Sequence, residues 1–221
     1  MSVIIKELSI TNANLNPDQG WIGPPKHQKS CGSCVVFTNV ALIESCIARV
    51  SCAWDPATCH VIDLSEQEAL ECGYSPPQVN GCQGALPDSY ISWIVSRGGY
   101  MSDELNLPYR PAKLELGQCP LTILVDDLPG ARITGDKVAY AVDEELLKKL
   151  VYLHGAVQTS VSARDNSFKH YRGGIYAGCS TNNTNHGMVL VGYGTEDGED
   201  FWILKNSWGV KWGEQGFMRM K

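Results

Sequence analysis

The stretch HQKSCGSCVVF, residues 27–37, decides how the rest of the chain is read. Two cysteines stand three apart, with Gly32 and Ser33 between them and an apolar run after. The spelling fits three chemistries: a redox dithiol, half of a zinc site, or a nucleophile at the mouth of a helix. Each makes a demand elsewhere. A redox dithiol follows a strand within a βαβ pattern, whereas GWIGPPKHQKS upstream is loop chemistry. Zinc needs a second Cys or His pair at ligand spacing, and Cys72 and Cys82 stand too far apart for that; disulfides explain them better. A nucleophile needs a histidine and a polar residue to orient it.

The chain has five histidines. His27, His60, His154 and His170 have polar or loop surroundings and read as surface side chains. His186 differs, standing in NTNHGMVLVGYG at the entry to an apolar strand that can aim an imidazole into a cleft. After a second apolar strand, FWILKNSWGVKWGEQGF offers Asn206 with Trp208 close behind. A histidine before a strand is more often structural than catalytic; Cys34, His186 and Asn206 together shift that reading.

Composition sets the bounds. The 221 residues carry net charge −6 and a pI near 5.3, which argues against a nucleic-acid surface. Hydrophobic content of 43% and charged content of 19% suit a globular chain. No apolar run reads as long enough to span a bilayer, and MSVIIKELSI lacks the layout of a secretion signal. Nine cysteines point to an oxidising compartment and, being odd, leave at least one sulfur unpaired. The expected location is secreted, or a lysosome- or vacuole-like compartment, with any leader already removed.

The first half reads helical. Residues 34–50 are apolar nearly all round, as in a helix buried through a domain. Ser65 and Glu68 spell a capping box, and LPDSYISWIVSR runs to Gly98. Beyond residue 130, DEELLKKLVYLHG is an amphipathic helix with Leu146, Leu147, Leu150 and Val151 on one face. Strand-like runs AVQTSVS, GIYA, GMVLVGYG, DFWILK and GFMRM follow. Helices first and strands later predict an α+β chain of two packed lobes: a helical lobe over 20–130 and a β-rich lobe from 1–19 and 131–221.

Six blocks in order, GPPKHQKSCGSC, LSEQEALEC, NGCQGA, YRGGIY, NHGMVLVGYG and KNSWGVKWGEQGF, resemble the papain family of cysteine proteases, the cathepsin-like group. The resemblance implies a papain-like fold, with a buried central helix in one lobe, an antiparallel β-barrel-like second lobe, and the active-site cleft between them. It implies peptide-bond hydrolysis by an endopeptidase through a thioester, with no cofactor and no metal. Cys34 takes the nucleophile position, where the helix dipole and an imidazolium favour the thiolate. His186 is the proton carrier, Asn206 its orienter, Trp208 the shield of their hydrogen bond, and Gln28 an oxyanion donor alongside the Cys34 N–H. Gly84 and Ala85 match the edge that pairs with substrate backbone. Leu86, Pro87, Ser160, Asn185 and Gly187 match the walls of the pocket for the second residue before the scissile bond, for which a weak apolar preference is expected.

By the same resemblance Cys31 pairs with Cys82 and Cys72 with Cys119. Cys52 and Cys59 can close the SCAWDPATC loop, leaving Cys46 and Cys179 unassigned; other pairings among Cys46, Cys52 and Cys59 stay open. Implied partners are protein or peptide substrates, the chain's own inhibitory propeptide (as in a zymogen) and cystatin-like inhibitors, with no nucleic acid, no membrane and a monomeric state. Asn182 opens an N-x-T sequon. Three features depart from the family pattern: Val35 where a large aromatic is usual, Lys29 where glycine is usual, and an end at Lys221 where relatives continue. The last, with no propeptide in view, suggests a mature domain or a trimmed one. Val35 and the short end motivate an alternative, a homologue repurposed for binding with little turnover. Thiol–disulfide exchange through Cys31 and Cys34, and acyl transfer to an amine by a ligase, are further readings.

Overall fold

The structure, a computed structural model, describes residues 2–5, 20–54, 61–76, 78–96, 101–119, 137–140, 143–178 and 183–221. Helix α1 (Cys34–Trp54) is 21 residues long and shows why its sequence is apolar nearly all round. One face sends Val36, Val40 and Ile43 into a core with Leu64, Leu70, Tyr90 and Ile94. Leu42, on another face, packs against Ile91, Val189 and Val191. The helix is therefore covered from two sides, and each aliphatic side chain so buried contributes about 1.5–3 kcal/mol. Cys34–Cys52 is also long and apolar enough, by length and composition, to cross a membrane, which corrects the reading that no run qualifies. Here 61% of that stretch is buried inside the protein.

Two shorter helices complete the first core: α2 (Glu66–Cys72) and α3 (Ser89–Ser96). The predicted capping box forms by half. The Glu68 N–H donates to Ser65 Oγ at 3.0 Å, but the Glu68 carboxylate accepts from the Ser102 N–H instead of turning back to Ser65. Two disulfides, Cys31–Cys82 and Cys72–Cys119, hold this core as the resemblance implied. Cys52 is disulfide-bonded as well. Cys59, Cys179, Gly98 and the Asn182 sequon lie outside the described residues.

The second core is built on a sheet. Strands β1 (Ser2–Ile5) and β2 (Lys137–Tyr140) form an antiparallel ribbon. Helix α4 (Glu144–His154) is capped by Asp143, whose Oδ1 accepts from the Leu146 N–H at 2.7 Å, and stops at Gly155 with φ 84°. Leu147, Leu150 and Val151 are buried as their spacing predicts, but Leu146 is 42% exposed and lies off that face. The predicted runs become β3 (Val157–Val161), β4 (Ile175–Tyr176), β5 (His186–Glu196), β6 (Glu199–Lys205) and β7 (Phe217–Met220). A single helical turn, α5 (Asn166–Lys169), precedes β4. The strand order is β3-β5-β6-β7-β4, antiparallel except for the parallel β4–β7 pair. Among the described residues this is an open, antiparallel-rich sheet and not a closed barrel. The α+β expectation is met, and α1 packs against β5 where the two cores meet.

Candidate active site

Phe37 N donates to Ser33 O at 3.1 Å to open α1, so the Cys34 N–H is one of the first amides with no acceptor inside the helix. It projects from the positive end of the helix. Cys34 is a free, half-buried thiol, while the Cys31 sulfur is bonded to Cys82. The two cysteines of the opening stretch are thus not a dithiol pair.

His186 starts β5, pairs with Val161 of β3, and is buried. Its Nε2 lies 2.8 Å from Asn206 Oδ1, the residue just after β6. The same oxygen accepts from the Ser207 N–H at 2.7 Å. A backbone amide can only donate, so the Asn206 atom must be oxygen and His186 Nε2 must carry the proton. That fixes the tautomer and leaves Nδ1 as the basic nitrogen, which among the described residues has no hydrogen-bond partner, the Cys34 sulfur included. Gly187, the next residue, faces the first turn of α1: a Cβ there would lie 3.5 Å from the Cys34 carbonyl oxygen. Burial pushes the His186 pKa below its ordinary value, and the Asn206 hydrogen bond partly opposes this. Trp208 covers the imidazole, with ring centroids 4.8 Å apart and planes 35° from parallel.

Gln28 is clamped by Ser207, Cys31 and Tyr109. Its backbone N–H donates to Ser207 O at 2.8 Å, and its Oε1 accepts from Ser207 Oγ at 2.7 Å. Nε2 donates to Cys31 O at 2.8 Å, which uses one of the two amide hydrogens and leaves the other. Tyr109 Oη donates to Gln28 O at 2.7 Å and receives a hydrogen bond from Ser33 Oγ. Lys29 has φ 56°, the left-handed region, which costs a non-glycine residue about 1–2 kcal/mol. That is the physical reason a glycine suits this position. The Lys29 N–H donates to His27 Nδ1 at 2.9 Å, and its ammonium stands in solvent 5.8 Å from the Tyr109 ring.

Of the sites matched to substrate, Gly84 (φ 105°) is open, with nothing within 4 Å of an added Cβ. Gly84 O accepts from the Asn80 N–H and the Leu86 N–H donates to Gln78 O. Ala85, between them, bridges Val79 with its own N–H and C=O turned the other way. Among the described residues it is a free strand edge. Pro87 O accepts from Asn39 Nδ2 and Gly187 touches Thr38, so both flank the opening turns of α1. Ser160 pairs with Gly187, and Asn185 Oδ1 is occupied by the Ala163 N–H at 2.8 Å. Leu86 is 53% exposed.

Sequence reasoning missed three supports. Ser207 ties Gln28 to Asn206, and its place beside Asn206 was the available signal. Phe168, fully buried, stacks edgewise on both His186 and Trp208. Tyr109 stands 81 residues from Gln28, and no local pattern announces it. Beneath the site lies a buried charge cluster. Lys26 Nζ reaches Glu44 (2.7 Å), Asp63 (2.6 Å), Glu66 (2.8 Å) and Leu64 O (3.0 Å). Burial pushes the Glu66 carboxyl up to about 8 and lifts Glu44, while the surrounding carboxylates hold Lys26 above the ordinary lysine value against its own desolvation. Lys205, also buried, is pushed down. Glu44 and Glu66 share one ammonium, so the two carboxyls and Lys26 form one coupled unit.

The comparisons with known proteins follow this geometry. A family model described as "Papain family cysteine protease" matches residues 11–221. The oryzain beta chain of Oryza sativa subsp. japonica is 35% identical over 204 residues, 92% of this chain and 41% of its own length. Germination-specific cysteine protease 1 of Arabidopsis thaliana is 36% identical over 203 residues, 92% of this chain and 50% of its own. The chain thus spans about half the length of these relatives or less. A solved structure, the digestive procathepsin L2 proteinase from Tenebrio molitor larval midgut, superposes with TM-score 0.77 at 32% identity, covering 92% of this chain and 60% of that one.

Proposed function

Because the chain belongs to the papain family of cysteine proteases, we propose that it is an endopeptidase acting through Cys34, His186, Asn206 and Gln28. The observation that carries this reading is the fixed tautomer of His186: Asn206 holds the Nε2 proton, leaving a basic Nδ1 in the strand beside the head of α1. The Cys34 proton passes to that nitrogen, and the sulfur attacks the peptide carbonyl. The oxyanion takes the Cys34 N–H and the remaining Gln28 amide hydrogen. His186 returns the proton to the leaving amine, and the thioester that remains is hydrolysed by water activated at the same nitrogen. The acyl half of the substrate lies along Ala85 as an added strand.

The direct test is turnover of a fluorogenic peptide panel with and without a thiol-directed inhibitor; turnover that the inhibitor leaves untouched refutes the reading. Gln28→Ala is expected to lower kcat by roughly a hundredfold with a small change in KM, since that donor meets charge only in the transition state. An unchanged kcat removes Gln28 from the oxyanion site. A cleavage profile over peptide libraries should show a weak apolar preference two residues before the scissile bond, from Leu86 and Pro87 tempered by Ser160. A preference there for a charged residue refutes that pocket.

Two disulfides in the helical core favour an oxidising setting, secreted or lysosome- and vacuole-like. A neighbour described as a procathepsin favours an inhibitory propeptide as partner, with cystatin-like inhibitors a further class.

A further inference from the structure

Given the peptidase reading, on which this inference rests, the two halves of a substrate leave the scissile bond in opposite directions. The acyl half follows the Ala85 edge. The departing amine takes its proton from His186, whose ring is covered by Trp208, so the departing half must cross the Trp208 side of the cleft. We propose that this rim is a cationic subsite selecting substrates with acidic side chains in the first few positions after the scissile bond.

Trp208 is bridged through its backbone to His27, and the next residue, Gly209, sits against the His27 ring, where an added Cβ would lie 3.0 Å from Cδ2. Val210 follows, 57% exposed, and then Lys211, exposed, whose carbonyl accepts from Arg172 Nη1 at 3.3 Å. Lys169 joins the same ridge through its carbonyl, which accepts from Trp212 Nε1. Lys29 adjoins it through its N–H, which donates to His27 Nδ1 at 2.9 Å, with its ammonium 5.8 Å from the Tyr109 ring. Lys29, Lys169, Arg172 and Lys211 are all exposed, and among the described residues none forms an ion pair.

Among the described residues the nearby acids form no ion pair with this ridge. Glu214 is held by Arg219 at 2.8 Å, and Asp165, one turn before Lys169, makes no ion pair with it. Elsewhere Lys26, Lys148, Arg219 and Lys221 are each matched to a carboxylate, while Arg110, Lys113, Lys149 and Arg164 also form no ion pair among the described residues, so what sets the ridge apart is its place beside Trp208. A row of unmatched cations around the leaving-group exit, on a chain of net charge −6, is a local field of opposite sign to the rest of the molecule. Such a field acts within about a Debye length, roughly 8 Å at physiological salt, and selects through charge complementarity.

The test uses peptides with identical acyl halves and an uncharged first leaving residue, carrying Glu, Gln or Lys at the next three positions. At low salt kcat/KM should rank Glu above Gln above Lys, with about tenfold between the extremes, and the spread should shrink to within about twofold at 0.5 M salt. The triple variant Lys29→Glu, Arg172→Glu, Lys211→Glu should invert the order while turning over the Gln peptide about as fast as the parent. In parallel, binding of the labelled peptides to Cys34→Ala protein by fluorescence anisotropy should keep the Glu-over-Lys order. Equal kcat/KM across the set, or an order that the triple variant leaves intact, overturns the subsite. If the parent cleaves no peptide while the Cys34→Ala protein still prefers Glu, the subsite stands and the peptidase reading falls.

Discussion

Cys34→Ala is expected to lower kcat/KM for every peptide substrate by a factor on the order of 10⁴–10⁶, since removing one member of a nucleophile–base unit costs nearly as much as removing all of it. What survives is the activity that the oxyanion donors and binding alone supply. The variant should fold with unchanged stability, because Cys34 is half-buried and bonded to nothing. An alkylating or epoxide probe should label Cys34 in the parent and fail in the variant, read by peptide mapping. The role of the helix end makes the prediction sharper. Among the described residues the Cys34 N–H has no acceptor at the first turn of α1 and His186 Nδ1 has no partner, so on the proposed reading a positive dipole and an unengaged base are both available to the sulfur. Hydrolysis by the variant at the parent rate places the chemistry elsewhere in the molecule.

Much of this was legible in the sequence because the signals were local. The strand runs from GMVLVGYG to GFMRM alternate or cluster as buried strands must, and all became strands. The Asp143 cap and Gly155 stop bound α4 as their chemistry requires. Cys34, His186 and Asn206 could be singled out because each stands at or just past the end of an element, where rigid backbone aims a side chain. The failures were tertiary. Leu146 belongs to the amphipathic pattern by composition, yet lies one position off the buried face. Glu68 was read as half of a reciprocal cap, but a backbone N–H from Ser102 outcompeted the local return bond. Whether a sheet closes depends on its two edge strands, here β3 and β4, and periodicity within a strand carries no information about edges. Tyr109, Phe168 and the Lys26 cluster were invisible for the same reason: their partners lie tens of residues away in the chain.

Lys26→Met, which keeps the aliphatic stem and removes the charge, is expected to cost about 3–5 kcal/mol, the usual result of stripping one partner from a buried ion cluster. For a chain of this size that is a fall in Tm of roughly 6–20 °C. Glu44 and Glu66 carry the effect, with side chains only 3% and 1% exposed, whereas Asp63, 63% exposed, is solvated by water when released. The pH dependence identifies the cause. A carboxyl whose folded pKa is raised stabilises the fold fully below its unfolded value, and that contribution is lost as pH rises through the folded value. Burial already places Glu66 at about 8 with Lys26 opposing it; removing the ammonium raises it further, so above pH 8, where the parent's loss through Glu66 levels off, the variant goes on losing stability. Lys26 itself is raised above its ordinary value by the carboxylates, so in the parent its contribution persists through neutral pH and fades only in alkali. The deficit measured by urea unfolding should therefore be smallest near pH 4.5 and grow above pH 8, toward pH 10. Adding Glu66→Gln should recover part of it at pH 10 and little at pH 4.5, because the amide replaces a carboxyl that acid has already neutralised. A deficit of equal size at both pH values would trace the loss to packing around the Lys26 stem and not to the uncompensated carboxylates.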